Sequence, residues 1–277
     1  MLSDKLVINV ALTGNVPSKD QTPYVPVTPQ EIADDAERVC NLGASILHIH
    51  ARDKDGNSTY KKEIYKEIIE RIRERCGDVI IAVSTSGRRT KDLKHRMEVL
   101  ELRGHFKPDM ASLTLGSMNF LNDYSLNPTE VIIELIETMR NAEIRPELEI
   151  FDSGMINYAK FLLKKGRLEG IYYANLILGS LGTMPATPMN LVHLVDELSD
   201  NLLWAATGVG QFSLDMQCLS IAIGGNVRVG IEDSIYMDNE KTELATNEKL
   251  VLRVRRIAEA MGRVIATPNE VRKILGL

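Results

Sequence analysis

The sequence predicts an α/β protein of the (β/α)8, or TIM-barrel, class, with residues 1–277 forming a single domain. Three observations carry that expectation. Short apolar, β-branched segments recur at residues 5–12, 45–50, 79–84, 109–114, 146–151, 170–177, 202–207 and 226–231, eight in all. Each is followed by a longer stretch with helical spacing, so a βα unit of about 31 residues repeats along the chain. Segments such as KLVINVAL and DVIIAV are continuously apolar rather than alternating, the pattern of strands covered on both faces in a parallel sheet. An open doubly wound sheet is the rival architecture, and it would hold the first and last strands far apart.

In chain order, segment 5–12 supplies the first strand. Thr28-Pro29 followed by Glu31 is a cap, a proline at the first turn and an acid after it, which opens a helix over 28–42 that Gly43 closes. The second strand is 45–50 and the third 79–84. Ser84-Thr85-Ser86-Gly87 then reads as a turn and cap before a helix over 89–103. The fourth strand is 109–114, and Asn127-Pro128 opens the helix behind it. The fifth strand, 146–151, carries Glu147 and Glu149. Strands six and seven run into the glycine-bearing turns 179–184 and 208–210, where barrels of this class often bind phosphate through loop amides. The eighth strand is 226–231.

Composition narrows the function classes. The chain is 44% hydrophobic and 26% charged, which excludes disorder, and 33 basic against 38 acidic residues give a net charge of -5. No basic stripe interleaved with aromatics appears, so nucleic acid is not an expected partner. No apolar run approaches the ~20 residues that span a bilayer, and the N-terminus MLSDKLVINVALTG has an acid where a signal peptide needs a basic start. A cytoplasmic location without membrane contact is therefore expected. Cys40, Cys76 and Cys218 are odd in number, far apart in sequence and in no CxxC spacing, so buried free thiols are expected rather than disulfides or a cysteine zinc site.

The sharpest chemical signal is Leu47-His48-Ile49-His50-Ala51-Arg52-Asp53. Alternate side chains of a strand face the same way, so His48 and His50 point together at the carboxyl end of strand two, the catalytic end of a barrel. Two imidazoles on one face make half of a zinc site. Taken alone, the pair also suits two hydrogen-bonded core histidines. The second signal, GGNVRVGIED at 224–233, ends strand eight. Glu232 could complete a set of two histidines and one acid, because barrel closure brings strand eight beside strand one and near strand two. Arg228 and Asp233, taken alone, suit a structural ion pair. A third group lies at the ends of the middle strands: Ser84, Ser86 and Gly87, Ser112 and Thr114, and the strand-five acids. Their hydroxyls and backbone amides can hold a substrate carboxylate, and Glu149, flanked by Leu148 and Ile150, points inward and needs a cation, for which Arg228 is the candidate. Arg88, Arg89 and Lys91 form a basic patch on the same rim, either solvated or set to meet nucleotide phosphates. His95, His105 and His193 fall away from the strand ends and receive no role.

With these residues laid out, the chain resembles the β-keto acid cleavage enzyme family over essentially its whole length. The resemblance runs through ALTGNVPSKDQTPYVPVTPQEIA, LHIHARDKDGN, STSG, PDMASLTLGSMNF, RPELEIFDSGM, GGNVRVGIEDSIY and ATPNEVRKILGL, in order. It implies a TIM barrel with zinc on His48, His50 and Glu232, a relay of Arg228, Asp233 and Glu149, and Ser84 and Ser112 near the substrate. It also implies a homo-oligomer, a tetramer by the family pattern, with acetyl-CoA as co-substrate. The implied reaction joins a β-keto acid to acetyl-CoA and splits the adduct by a retro-Claisen step into acetoacetate and a new acyl-CoA. Where family members that take an aminated substrate carry a glutamate shortly after the TG motif, this chain has Asn15-Val16. A neutral or anionic β-keto acid is expected instead, the more so if Arg88 or Arg89 turns into the pocket. Two other classes fit parts of the pattern. Amidohydrolase barrels also use HxH and a strand-eight Asp, but they place HxH on the first strand and need further strand-end histidines. A noncatalytic metal- or ligand-binding barrel would keep the pocket without turnover.

Overall fold

The computed structural model describes residues 5–277. Eight parallel strands form a closed barrel: β1 Ile8–Ala11, β2 Ile46–Ile49, β3 Ile80–Val83, β4 Met110–Thr114, β5 Arg145–Ile150, β6 Tyr172–Leu178, β7 Leu202–Gly208 and β8 Asn226–Val229. The strands follow one another around the barrel in chain order, and β8 closes on β1 with Val227 opposite Ile8, Arg228 opposite Asn9 and Val229 opposite Val10. β1 pairs in turn with β2, Ala11 opposite His48. Closure therefore carries the end of β8 to within two strands of the histidines, which an open sheet would not do.

The helices pack outside the strands: α1 Pro29–Asn41, α2 Lys62–Cys76, α3 Leu93–Met97, α4 Thr129–Asn141, α5 Ser153–Lys164, α6 Pro188–Asp196, α7 Ser213–Ala222, α8 Asn247–Ala260 and α9 Pro268–Leu275. α1 starts as its sequence dictates. The Thr28 side chain accepts from the Glu31 amide, Glu31 accepts from the Thr28 amide, and Pro29 occupies the first turn, where no amide is missed. Ile32, Ala36 and Val39, spaced four and three apart, are its buried face. The helix expected over 89–103 is shorter: α3 gives way to a 3-10 turn at Glu98–Glu101. Asp92 caps it by accepting from the Lys94 and His95 amides, which sets a start at Leu93 rather than at 89. Two small antiparallel pairs stand on the carboxyl-end loops, Ala51–Arg52 with Ser58–Thr59 and Met118–Asn119 with Tyr124–Ser125.

The three cysteines are free thiols, but the expectation that they are buried needs correction. All three cysteines are half-buried, and the Cys40 and Cys76 thiols are neighbours where α1 packs on α2. The neighbouring Cys76 thiol and burial both push the Cys40 thiol up. No helix among the described residues is long and apolar enough to cross a membrane.

Gly230, just past β8, shows how tightly the barrel seam closes. Its φ is +152°, and a Cβ there would stand 2.1 Å from the Ala11 carbonyl oxygen. Gly230→Ala is expected to cost at least the ~1–3 kcal/mol typical of overpacking, since backbone rather than a flexible side chain must yield. Chemical denaturation measures this, and an unchanged midpoint would mean that β8 does not press on β1 here.

Candidate active site

His48 lies in β2 and His50 one residue beyond it, so their rings share the inward face, with Nε2 atoms 3.2 Å apart. Glu232 arrives on the turn after β8. That turn is held by Asn247 at the start of α8, whose side chain accepts from the Ile231 amide at 2.8 Å and donates to the Leu12 carbonyl at 3.0 Å. Gly14, at φ +69°, lets the β1 loop pass under Glu232, where a Cβ would stand 2.6 Å from its Cγ. Glu232 Oε1 is then 3.2 Å from His50 Nε2, and Oε2 is 3.9 Å from His48 Nε2. Glu232 Oε2 is buried and has no hydrogen-bond partner. A tetrahedral ion with bonds of 2.0–2.1 Å separates its ligands by roughly 3.3 Å, so these three side chains fit one first-row divalent ion, and the orphaned oxygen would gain a partner in it. They are also the one such group of histidines and acids among the described residues.

Behind the histidines lies a network that the motif reading left without a role. Glu147 of β5 is fully buried; one oxygen accepts from Asn9 Nδ2 at 2.7 Å and Asn175 Nδ2 at 2.8 Å, and the other sits 2.7 Å from His48 Nδ1. This fixes the tautomer: Nδ1–H donates to the carboxylate and Nε2 is presented to the ligand cluster. Burial alone would lower the His48 pKa, but the Glu147 and Glu232 carboxylates overcome it and raise it to about 9. Burial lowers that of His50. Asn9 and Asn175 were legible as polar interruptions of apolar strands, KLVINVAL and YYANLIL, although nothing in either strand names the partner.

Arg228, 2% exposed, binds the remaining acids. Its Nε and Nη2 donate to the two oxygens of Asp233 at 3.0 and 3.3 Å, Nη2 reaches Glu232 at 3.0 Å, and Nη1 reaches Glu149 at 3.4 Å. Glu149 also accepts from Thr114 Oγ1 at 2.6 Å. Burial raises the Asp233 pKa despite Arg228, whereas Glu232 is held well below the usual carboxylate range because His50 and Arg228 outweigh its burial. Three buried carboxylates and the partly buried Glu232 thus share one guanidinium and two imidazoles, an excess of negative charge that a divalent cation would offset.

A cavity of about 110 Å³ opens beside this cluster, lined in part by His50, Ser84, Ser86, Thr114, Glu149, Arg228, Glu232 and Asp233. The five residues expected to meet a substrate therefore divide: Ser84, Ser86 and Thr114 line the cavity, and Ser112 and Gly87 do not. Ser112 Oγ is used to accept from the Thr85 amide at 3.0 Å, and the Gly87 carbonyl is taken by Lys91 Nζ at 2.8 Å. Of the basic patch, Arg89 and Lys91 bind backbone carbonyls, while Arg88 faces the cavity. A wider groove of about 670 Å³ adjoins it and includes Gly179, Ser180, Val209 and Gly210 from the glycine-bearing turns. Phe120, between the small strands at Met118–Asn119 and Tyr124–Ser125, lines both spaces, a contribution the sequence reading missed. His95 pairs with Glu98, and none of His95, His105 and His193 joins the cluster, so the further histidines an amidohydrolase site requires are not present.

A closed parallel barrel that gathers two histidines and a glutamate beside an arginine-bound carboxylate, next to a cavity at its carboxyl end, defines an enzyme of the TIM-barrel class. Residues 5–277 match the model of the beta-keto acid cleavage enzyme family, and the chain belongs to that family, a class of carbon–carbon-bond-cleaving acyl transferases. It is 39% identical to a 3-keto-5-aminohexanoate cleavage enzyme of Fusobacterium nucleatum, covering 100% of this chain and 99% of that one. It is 32% identical to a 3-oxoadipate:acetyl-CoA acetyltransferase of Cupriavidus necator, covering 100% and 96%. The solved apo structure of ObcA superposes with a TM-score of 0.81 at 19% identity over 92% of this chain and 66% of that one, a likeness of fold.

Proposed function

We propose that this chain is a zinc-dependent β-keto acid cleavage enzyme that condenses a β-keto acid with acetyl-CoA and releases acetoacetate and a new acyl-CoA. The observation that carries the proposal is the convergence of the His48, His50 and Glu232 ligand atoms beside the Arg228-bound Asp233, next to a cavity that His50, Glu232 and Asp233 line. When bound there, the ion would supply Lewis acidity toward the ketone and carboxylate oxygens of the substrate, so that a carboxylate suffices as base. Asp233 takes a proton from the methylene between those groups, and Arg228, positioned by Glu149 and Thr114, holds Asp233 in place. Ser84 and Ser86 supply hydroxyls for the substrate carboxylate. The resulting carbanion attacks the thioester carbon and expels CoA thiolate. The thiolate adds to the original ketone, and the carbon–carbon bond breaks to give the new thioester and the carbanion of acetoacetate, which takes back the proton held on Asp233. No protein nucleophile is required.

The test is a panel of β-keto acids incubated with acetyl-CoA and scored by mass for acetoacetate and matching acyl-CoA. Metal- or ligand-binding without turnover yields neither product, and hydrolysis proceeds without acetyl-CoA; either result refutes the proposal. Glu147→Gln provides a second check. Losing the anionic partner of His48 is expected to weaken zinc ~10–100-fold in chelator competition. Unaltered affinity would reduce Glu147 to a core polar residue.

A further inference from the structure

Beyond the ligand cluster and the relay, the inner cavity is walled by Asn15, Val16, Arg88, Met118 and Phe120, among others. No uncommitted acid lines it. Its three carboxylates, Glu149, Glu232 and Asp233, are already engaged with Arg228. Two hydrogen-bonding groups, by contrast, are free. Arg88 spends only Nε on Asp123, at 3.0 and 2.9 Å to the two oxygens, and its guanidinium lies 3.8 Å over the Phe120 ring; neither Nη group has a partner among the described residues. Asn15 is 8% exposed, its buried Oδ1 has no partner, and its Nδ2, the donor that an anion would meet, is bound to no other group among the described residues. Both groups are held in place. Arg52 Nη2 binds the Gly14 and Pro17 carbonyls on either side of Asn15-Val16, at 2.6 and 2.9 Å, and Arg89 binds the Asn15 carbonyl at 3.0 Å.

Resting on the β-keto acid reading, we infer that Arg88 and Asn15 form a subsite for an anionic group at the far end of the substrate, which makes β-keto dicarboxylates the preferred class. A guanidinium fixed through one edge by Asp123 and one face by Phe120 keeps its other donors directed at a carboxylate without the cost of ordering them on binding. Val16 and Phe120 suit the methylenes between the two charged ends. A neutral tail would desolvate the Nη donors without replacing their hydrogen bonds, and an ammonium tail would meet Arg88 with no uncommitted acid nearby. Because Arg88 also lines the wider groove, the anion it meets could otherwise be a phosphate of CoA.

The experiment compares kcat/KM for 3-oxoadipate, 3-oxohexanoate and 3-keto-5-aminohexanoate at one acetyl-CoA concentration, in the wild type, Arg88→Met and Asn15→Ala. The diacid is expected to lead the six-carbon monoacid by at least about tenfold, with the amine last. Arg88→Met should cut the diacid-to-monoacid ratio by about tenfold or more, chiefly through KM, and Asn15→Ala by less. Damage to the fold lowers both rates and leaves the ratio, so the ratio isolates the subsite. A wild-type ratio of one or below overturns the inference. So does an Arg88→Met enzyme with an unchanged ratio and a raised KM for acetyl-CoA, which would assign Arg88 to a CoA phosphate. If no β-keto acid is cleaved, the proposed reaction fails instead, and the subsite is read from melting shifts: adipate, but not hexanoate, should stabilise the wild type and not Arg88→Met, and equal shifts refute it.

Discussion

Asp233→Asn is expected to leave the barrel folded and lower turnover by ~10²–10⁴-fold, the usual effect of removing a general base. The carboxylate is buried and bound through both oxygens to a fully buried arginine, so its orientation is set before substrate arrives. Asparagine has nearly the same shape but cannot accept the proton, and its amide turns one hydrogen-bond acceptor toward Arg228 into a donor. Exchange of the substrate methylene protons into deuterated water isolates the step, because it needs no acetyl-CoA. Glu149→Gln, which retains the Thr114 contact and touches Asp233 only through Arg228, should be milder. A fully active Asp233→Asn enzyme would return the Arg228–Asp233 pair to a structural role.

The second large effect concerns the metal. Protein prepared without chelator is expected to carry one divalent ion per chain, most simply zinc, and His48→Ala with His50→Ala is expected to carry none. The remaining carboxylate, Glu232, offers a single ligand and already binds Arg228, which is too little to retain a structural or catalytic zinc. Elemental analysis by mass spectrometry after exhaustive dialysis decides this, with circular dichroism monitoring the fold, since His48→Ala also strips Glu147 of one hydrogen-bond donor. Full metal content in the double variant would place the ion elsewhere.

Much of this architecture was legible because barrel strands and their helices are local patterns. The apolar runs at residues 80–83 and, broken only by Asn9, at 8–11, and the cap, proline and acid at Thr28, Pro29 and Glu31, act through neighbours within a few residues, so they are visible in the string. The same holds for the common face of His48 and His50, which follows from the two-residue period of a strand. The period fails where depth matters. Glu147 and Glu149 are two apart and both point inward, yet one serves His48 and the other Arg228, because each layer of the barrel is filled from different strands. The fate of Arg88, held by the Asp123 and Phe120 that a short pair of strands brings in, was likewise beyond the motif, as was the meeting of Cys40 with Cys76. By itself, then, the sequence determined the barrel, the strand ends that face its mouth and the residue types gathered there. Which of those residues touch was decided by closure of β8 on β1, since a contact between residues 48 and 147 or 149 and 228 depends on the register of strands far apart in the chain, and no periodicity encodes it.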